Sequence, residues 1–238
     1  MGTSTGYPLP TSGNWPAVKG AVTSLGHSGV TDPVTIGRLM GDYVQAHGGY
    51  QRAAQQMRAA SRAGTKLAGF LASVPELGLT QSLIDAGLAQ LVGQSALNVV
   101  RGLTDYLAGE GSLLEEDMVR WAIFDYLDQV FGQASYDELD RAISRLLERE
   151  SIGAILRQVF GLCIYRRFRT HFSEGLMKAS DNLRTVWRLL KDIKEFILRK
   201  LEVRTFDQDL TQIDWRGSEG EKLSSEMLSS AWRVFGEG

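Results

Sequence analysis

From residue 31 to the end of the chain, apolar side chains recur at steps of three and four, and no stretch alternates apolar with polar. Steps of three and four line one face of a helix, whereas alternation lines one face of a strand. The clearest run is Leu176, Ala179, Leu183, Val186, Leu190, Ile193 and Ile197. It is a seam of about three heptads and predicts one long helix over roughly residues 176–203. No Asn-Gly or Asp-Gly pair signals a hairpin. A chain patterned this way buries its apolar surface by packing helices on helices, so the expected fold is all-α, a multi-helix bundle.

Helix starts are marked as well. Asp32 precedes Pro33 as a cap before a first-turn proline, and Gly48-Gly49 close that helix. Four S/T-x-x-D/E capping boxes follow: Ser112 with Glu115, Ser135 with Glu138, Thr211 with Asp214, and Ser218 with Glu221. Residues 1–30 are different, rich in Gly, Ser, Thr and Pro and poor in branched apolar residues. They read as a flexible N-terminal tail with room for one short helix in "AVKGAVTSL". The helical body is then 31–238, divisible into 31–108 and 109–238.

Charge is uneven. Residues 104–150 carry twelve acidic and four basic side chains, and residues 157–204 carry five acidic and twelve basic ones. The simpler reading is neighbouring helices whose solvated faces attract one another. The sharper one makes Arg166, Arg167 and Arg169, set among the aromatics of "YRRFRTHF", a phosphate or nucleic-acid contact. A net charge of −2 argues against a chain dedicated to nucleic acid. The start has no basic-then-apolar leader pattern, and the longest uncharged stretch in the body, "AGLAQLVGQSALNVV", falls short of the ~20 residues of a membrane span. The expectation is a cytoplasmic protein with no membrane contact.

Catalytic patterns fail on context. Gly2-Thr3-Ser4-Thr5-Gly6 matches a hydrolase nucleophile elbow by spelling, but no strand precedes it and Tyr7-Pro8-Leu9-Pro10 cannot open a helix cleanly. His27, His47 and His171 are scattered, with no metal-ligand spacing. Cys163, the lone cysteine, stands eight positions from His171, too far along a helix for the two to meet without a bend. Glu115-Glu116-Asp117 fits the first turn of a helix without any catalytic role. The chain reads as a non-enzyme, with no cofactor and no metal.

The opening residues carry the functional signal. Removal of Met1 would leave Gly2 with a free α-amine, whose ordinary pKa of about 7.7–8.0 keeps roughly a tenth of it uncharged at pH 7. Glycine has no Cβ and its neighbours are small, so this end could thread into another enzyme's site. Tyr7 and Trp15 are orphan aromatics in a polar stretch and could anchor a partner.

The block "MGTSTGY", the following "LPTSGNWP" and the tail "IDWRGSEGEKLSSEMLSSAWRVF" resemble the QatB family, the B proteins of the Qat anti-phage defence system. The resemblance implies a bacterial cytoplasmic protein acting beside an ATPase, a QueC-like (QatC-type) enzyme and a TatD-like nuclease. It further implies that Gly2 is a modification acceptor for a deazaguanine-type nucleobase, and that Thr3, Ser4, Thr5 and Gly6 form the recognised tail. Two other readings stand beside it. One is a helical scaffold with an inert tail, in which part of the Leu176–Ile197 seam is an interface. The other is nucleic-acid binding through residues 157–204.

Overall fold

The computed structural model describes residues 14–109, 114–202, 210 and 213–237. Among them are ten α-helices and no strand: α1 (Trp15–Ser28), α2 (Pro33–Ala46), α3 (Tyr50–Gln55), α4 (Arg58–Asp85), α5 (Ala96–Ala108), α6 (Leu114–Phe131), α7 (Tyr136–Arg149), α8 (Ile152–Ala179), α9 (Leu183–Glu202) and α10 (Ser218–Gly236). The all-α bundle expected from the periodicity is what forms.

α8 runs through the middle and packs against α1, α4, α6, α9 and α10. Ile155, Leu156, Phe160, Cys163, Ile164 and Phe168 are all buried on it, around most of its circumference. A helix enclosed on most sides keeps only a narrow polar stripe, so its sequence carries little amphipathic signature. α10 closes the bundle against α2, α3 and α4. The buried apolar residues form one continuous cluster that runs from Trp15 to Phe235.

The structure corrects the long helix expected over 176–203. α8 ends at Ala179 and α9 starts at Leu183. Between them Asn182 Oδ1 accepts from Arg184 N at 2.9 Å, and Ser180 Oγ accepts from Asn182 N at 3.3 Å. Ser-Asp-Asn side chains offer the backbone partners that compete with the helix ladder, and the chain reverses. α9 then returns antiparallel along α8. Leu176 stays in the core from one helix, and Val186, Leu190, Ile193 and Ile197 from the other, while Leu183 faces water.

The short helix expected in "AVKGAVTSL" forms within α1, and it docks on the body instead of belonging to a flexible tail. Trp15, Val18, Val22 and Leu25 form a buried stripe on α1, which packs on α8 and α2. Glycine helps here: a Cβ on Gly26 would stand 2.7 Å from the Cβ of Ala179. Four well-spaced apolar residues suffice to dock this helix even though Gly, Ser and Thr surround them.

Caps are partly as expected. Asp32 Oδ1 accepts from Val34 N and Thr35 N at 2.9 and 3.0 Å, with Pro33 behind it. The Ser135–Glu138 box forms, Glu138 Oε2 accepting from Ser135 N at 2.9 Å. Ser218, in contrast, is the first residue inside α10, and Gly217 holds the cap position. Ser112 and Thr211 lie outside the described residues. Glu115, paired with Ser112 in the sequence pattern, spends its Oε1 elsewhere: it accepts from Ala59 N at 2.6 Å and caps α4, whose own N-cap Met57 supplies no side-chain acceptor.

α4 contains Pro75 and kinks at Gly78, where φ is +74°. The backbone N–H released at Leu79 is taken by Asp140 Oδ1 of α7 at 2.7 Å. Among the described helices α4 alone is long and apolar enough to cross a membrane, by length and composition. Ala63, Leu67, Phe70, Leu71 and Val74 of this helix are buried in the bundle, while Leu77 and Ile84 are exposed.

Neighbouring helices press close on α4 at Gly64, where a Cβ would meet Phe160 Cζ at 2.6 Å and Ser224 Oγ at 2.7 Å. Gly64→Val should destabilise the protein by about 1–3 kcal/mol through overpacking, read as a lower urea midpoint. Gly175→Ala on α8, where a Cβ meets nothing within 4 Å, should leave stability unchanged or raise it by up to about 1 kcal/mol.

Candidate functional site

The point where the N-terminal segment joins the body is a buried cluster of aromatic and polar side chains. α1 brings Trp15, α2 brings Tyr43 and, at its C-cap, His47; α3 brings Gln56 just past its end; α8 brings Arg167, Phe168, His171 and Phe172; α10 brings Trp232. On α8 the steps 168, 171, 172 turn one face toward α1 and α2, with Arg167 beside it. On α2, Tyr43 and His47 are one turn apart.

Trp15 is only 6% exposed. Its ring centroid lies 5.4 Å from His171, edge-on, and 5.1 Å from Phe172. Tyr43 meets His47 at 4.7 Å and Phe168 at 5.4 Å, both edge-to-face. Such pairs contribute roughly 0.5–1.5 kcal/mol each beyond the area they bury.

Polar contacts thread through the rings. Gln56 Oε1 accepts from Arg167 Nη2 at 2.6 Å and from His47 Nδ1 at 2.9 Å, and Arg167 Nη1 donates to Ala53 O at 3.3 Å. With its Nδ1 donating, a neutral His47 keeps an acceptor lone pair on Nε2. Tyr43 Oη and His171 Nδ1 are 2.7 Å apart. Burial above all, with the Arg167 charge second, pushes the imidazoles of His47 and His171 down to about 3. Both are neutral at pH 7 and too weakly basic to serve as general bases there. His47 Nε2 and the indole N–H groups of Trp15 and Trp232 find no hydrogen-bond partner among the described residues.

The expected site residues separate. Gly2, Thr3, Ser4, Thr5, Gly6 and Tyr7 lie outside the described residues. Trp15, expected on a tail as a partner anchor, is instead the root of α1 in the core. Arg167, expected as a phosphate contact, has no exposure at all. It holds α3 to α8, because a guanidinium out of water must spend its donors inside the protein. Arg166 is paired with Asp125 Oδ2 at 2.6 Å and lies over the Trp121 ring at 5.4 Å; Arg169 lies over Trp187 at 5.3 Å. The three arginines thus form no common surface. Cys163 is buried, its thiol pushed up to about 12 by burial, which leaves it unreactive. Sequence reasoning missed His47 and His171 as neighbours, since 123 intervening residues hide a contact made by α2 against α8; it also missed Trp121 and Trp187, whose exposure no periodicity reveals.

Two histidines held neutral make the fold acid-sensitive. In the unfolded chain each takes up a proton near 6.5, and in the fold only near 3. Their contribution is therefore intact above about pH 6.5, and each ring loses up to about 1.4 kcal/mol per pH unit as the pH falls from 6.5 toward 3. Thermal unfolding followed from pH 7 to 4 should show a falling Tm. Replacing both rings, His47→Gln with His171→Gln, should lower the starting Tm and flatten the slope.

The model of one protein family, described as Qat anti-phage system associated protein QatB, matches residues 48–235, which run from the end of α2 to the last turn of α10. No curated protein and no solved structure matches the chain.

Proposed function

This chain belongs to the QatB family and is a component of the Qat anti-phage system; from that premise we propose that it has no catalysis of its own and carries an acceptor glycine, Gly2, which a QueC-like partner conjugates to a deazaguanine-type nucleobase. In that step ATP first activates the carboxylate of the base. The uncharged α-amine of Gly2 then attacks the activated carbon, an amide bond forms, the activating group leaves, and the amine loses a proton. Thr3, Ser4, Thr5 and Gly6 are the small residues that let this end enter the partner's site, and Tyr7 completes the recognised segment.

The observation that carries the reading is the rooting of the segment. Trp15 is locked among His171, Phe172 and Tyr43 at the start of α1, so whatever precedes it is tethered to a rigid body. The titratable groups beside it suit anchoring: two imidazoles far from a useful pKa and a guanidinium committed to Gln56 and Ala53. The system's ATPase and TatD-like nuclease are the other proposed partners, in the bacterial cytoplasm.

A second reading, a scaffold with an inert tail, is favoured by two exposed tryptophans, Trp121 and Trp187. Direct nucleic-acid binding through Arg166, Arg167 and Arg169 loses its basis with Arg167 in the core and Arg166 paired to Asp125.

Intact mass distinguishes the first two. Protein expressed with the QueC-like partner should gain mass on its N-terminal peptide alone, and protein expressed without it should not. Gly2→Leu, which keeps Met1 and so presents a methionine α-amine in place of the glycine one, should abolish both the gain and phage defence while unfolding as the parent does. An unmodified, Met-cleaved mass in both samples would sink the acceptor reading, and unaffected defence in Gly2→Leu would favour the scaffold.

A further inference from the structure

α6, α8 and α9 form one layer, with α8 in contact with both of the others. Asp125 of α6 marks the outer face of that layer. Its Oδ2 takes Arg166 of α8 at 2.6 Å and lies 4.0 Å from Lys194 Nζ of α9. The Lys194 ammonium also lies 6.0 Å from the centre of the Tyr165 ring on α8.

Helical steps of three, four and seven place the neighbours of these residues on the same face. On the α6 edge they are Leu114, Asp117, Trp121 and Asp128. On the α9 edge they are Leu183, Arg184, Trp187 and Lys191. All eight are exposed. Trp121 is 56% exposed, Trp187 57%, Leu183 63% and Leu114 40%. Each tryptophan is backed on one side by an arginine of α8, Arg166 under Trp121 and Arg169 near Trp187, so both rings are held in place while most of their surface meets water.

The two edges are alike in shape and opposite in charge. Each carries one leucine and one tryptophan, and the charges beside them are acidic on α6 (Asp117, Asp128) and basic on α9 (Arg184, and Lys191, which also lies 3.7 Å from Glu195 one turn on). A two-fold axis lying in the plane of this face and running along the Arg166–Arg169 section of α8 would lay the acidic edge of one copy on the basic edge of the other, twice over. That is the self-complementary patch an isologous dimer needs. Trp and Arg are also the residue types that most often dominate interface energetics.

We propose that this α6–α8–α9 face is the interface of a homodimer, with a second copy of this chain as its occupant. A single-stranded nucleic acid is the weaker fit, because Asp117 and Asp128 beside Trp121 would repel its phosphates.

Sedimentation velocity of the full chain tests this, with variants that leave the core untouched. The parent should sediment as a dimer of the 26.3 kDa chain in the micromolar range. Asp117→Lys with Asp128→Lys makes both edges basic, and Arg184→Glu with Lys191→Glu makes both acidic. Each variant alone should dimerise at least about tenfold more weakly, and an equimolar mixture of the two should restore a heterodimer. A parent that stays monomeric overturns the proposal, as does a dimer indifferent to both charge reversals. If the monomeric parent shows tryptophan quenching by a single-stranded oligonucleotide, the face belongs to nucleic acid instead.

Discussion

A guanidinium wholly withdrawn from water reaches from α8 to the end of α3, and the cluster around it is arranged to satisfy it. Arg167 donates to the Ala53 carbonyl and to Gln56 Oε1, and that oxygen also accepts from His47. Fixing His47 sets the edge on which Tyr43 packs, and Tyr43 in turn meets His171, Phe168 and Trp232. Desolvating a cation costs several kcal/mol unless hydrogen bonds replace its hydration, so α3 cannot drift from α8 without exposing or stranding the charge. A short helix that could not hold its own shape is thereby pinned. The same positive charge adds to the burial that holds two nearby histidines neutral, so one residue contributes to both the geometry and the acid sensitivity of the cluster.

Other carboxylates work across helices in a similar way. Glu115 of α6 caps α4, Asp140 of α7 takes the N–H freed by the α4 kink, and Asp125 ties α6 to α8. Each sits in the acid-rich half of the chain, and each is engaged with a neighbouring element. At Asp125, which faces Arg166 and Lys194, the acidic stretch 104–150 meets the basic stretch 157–204 and joins α6 to the α8–α9 pair. What is left over on the outer edges, acidic on α6 and basic on α9, flanks the exposed tryptophans.

Legibility varied with the kind of signal. Asp32 before Pro33, the Gly48-Gly49 stop and the Ser135–Glu138 box depend on contacts within four residues, so they could be read directly and all formed. The Leu176–Ile197 seam kept its rhythm across a chain reversal, because residues of both α8 and α9 face the same core. Periodicity alone cannot see the turn at Ser180–Asn182, where side-chain acceptors interrupt the ladder. A helix in "AVKGAVTSL" was legible, but its docking as α1 was obscured by small and polar residues around the four apolar positions that make it. Arg167 was misread because basic residues among aromatics look alike on a surface and in a core.

The sequence by itself determined the helical class, the stronger caps and the family-like blocks at the two ends, since these rest on local spacing and on residue identity. Only the tertiary structure decided which positive charges meet water. It also brought His47 and His171 together and left Trp121 and Trp187 outside. Burial is a property of which helix lies against which, and in this bundle those pairings join residues more than a hundred positions apart.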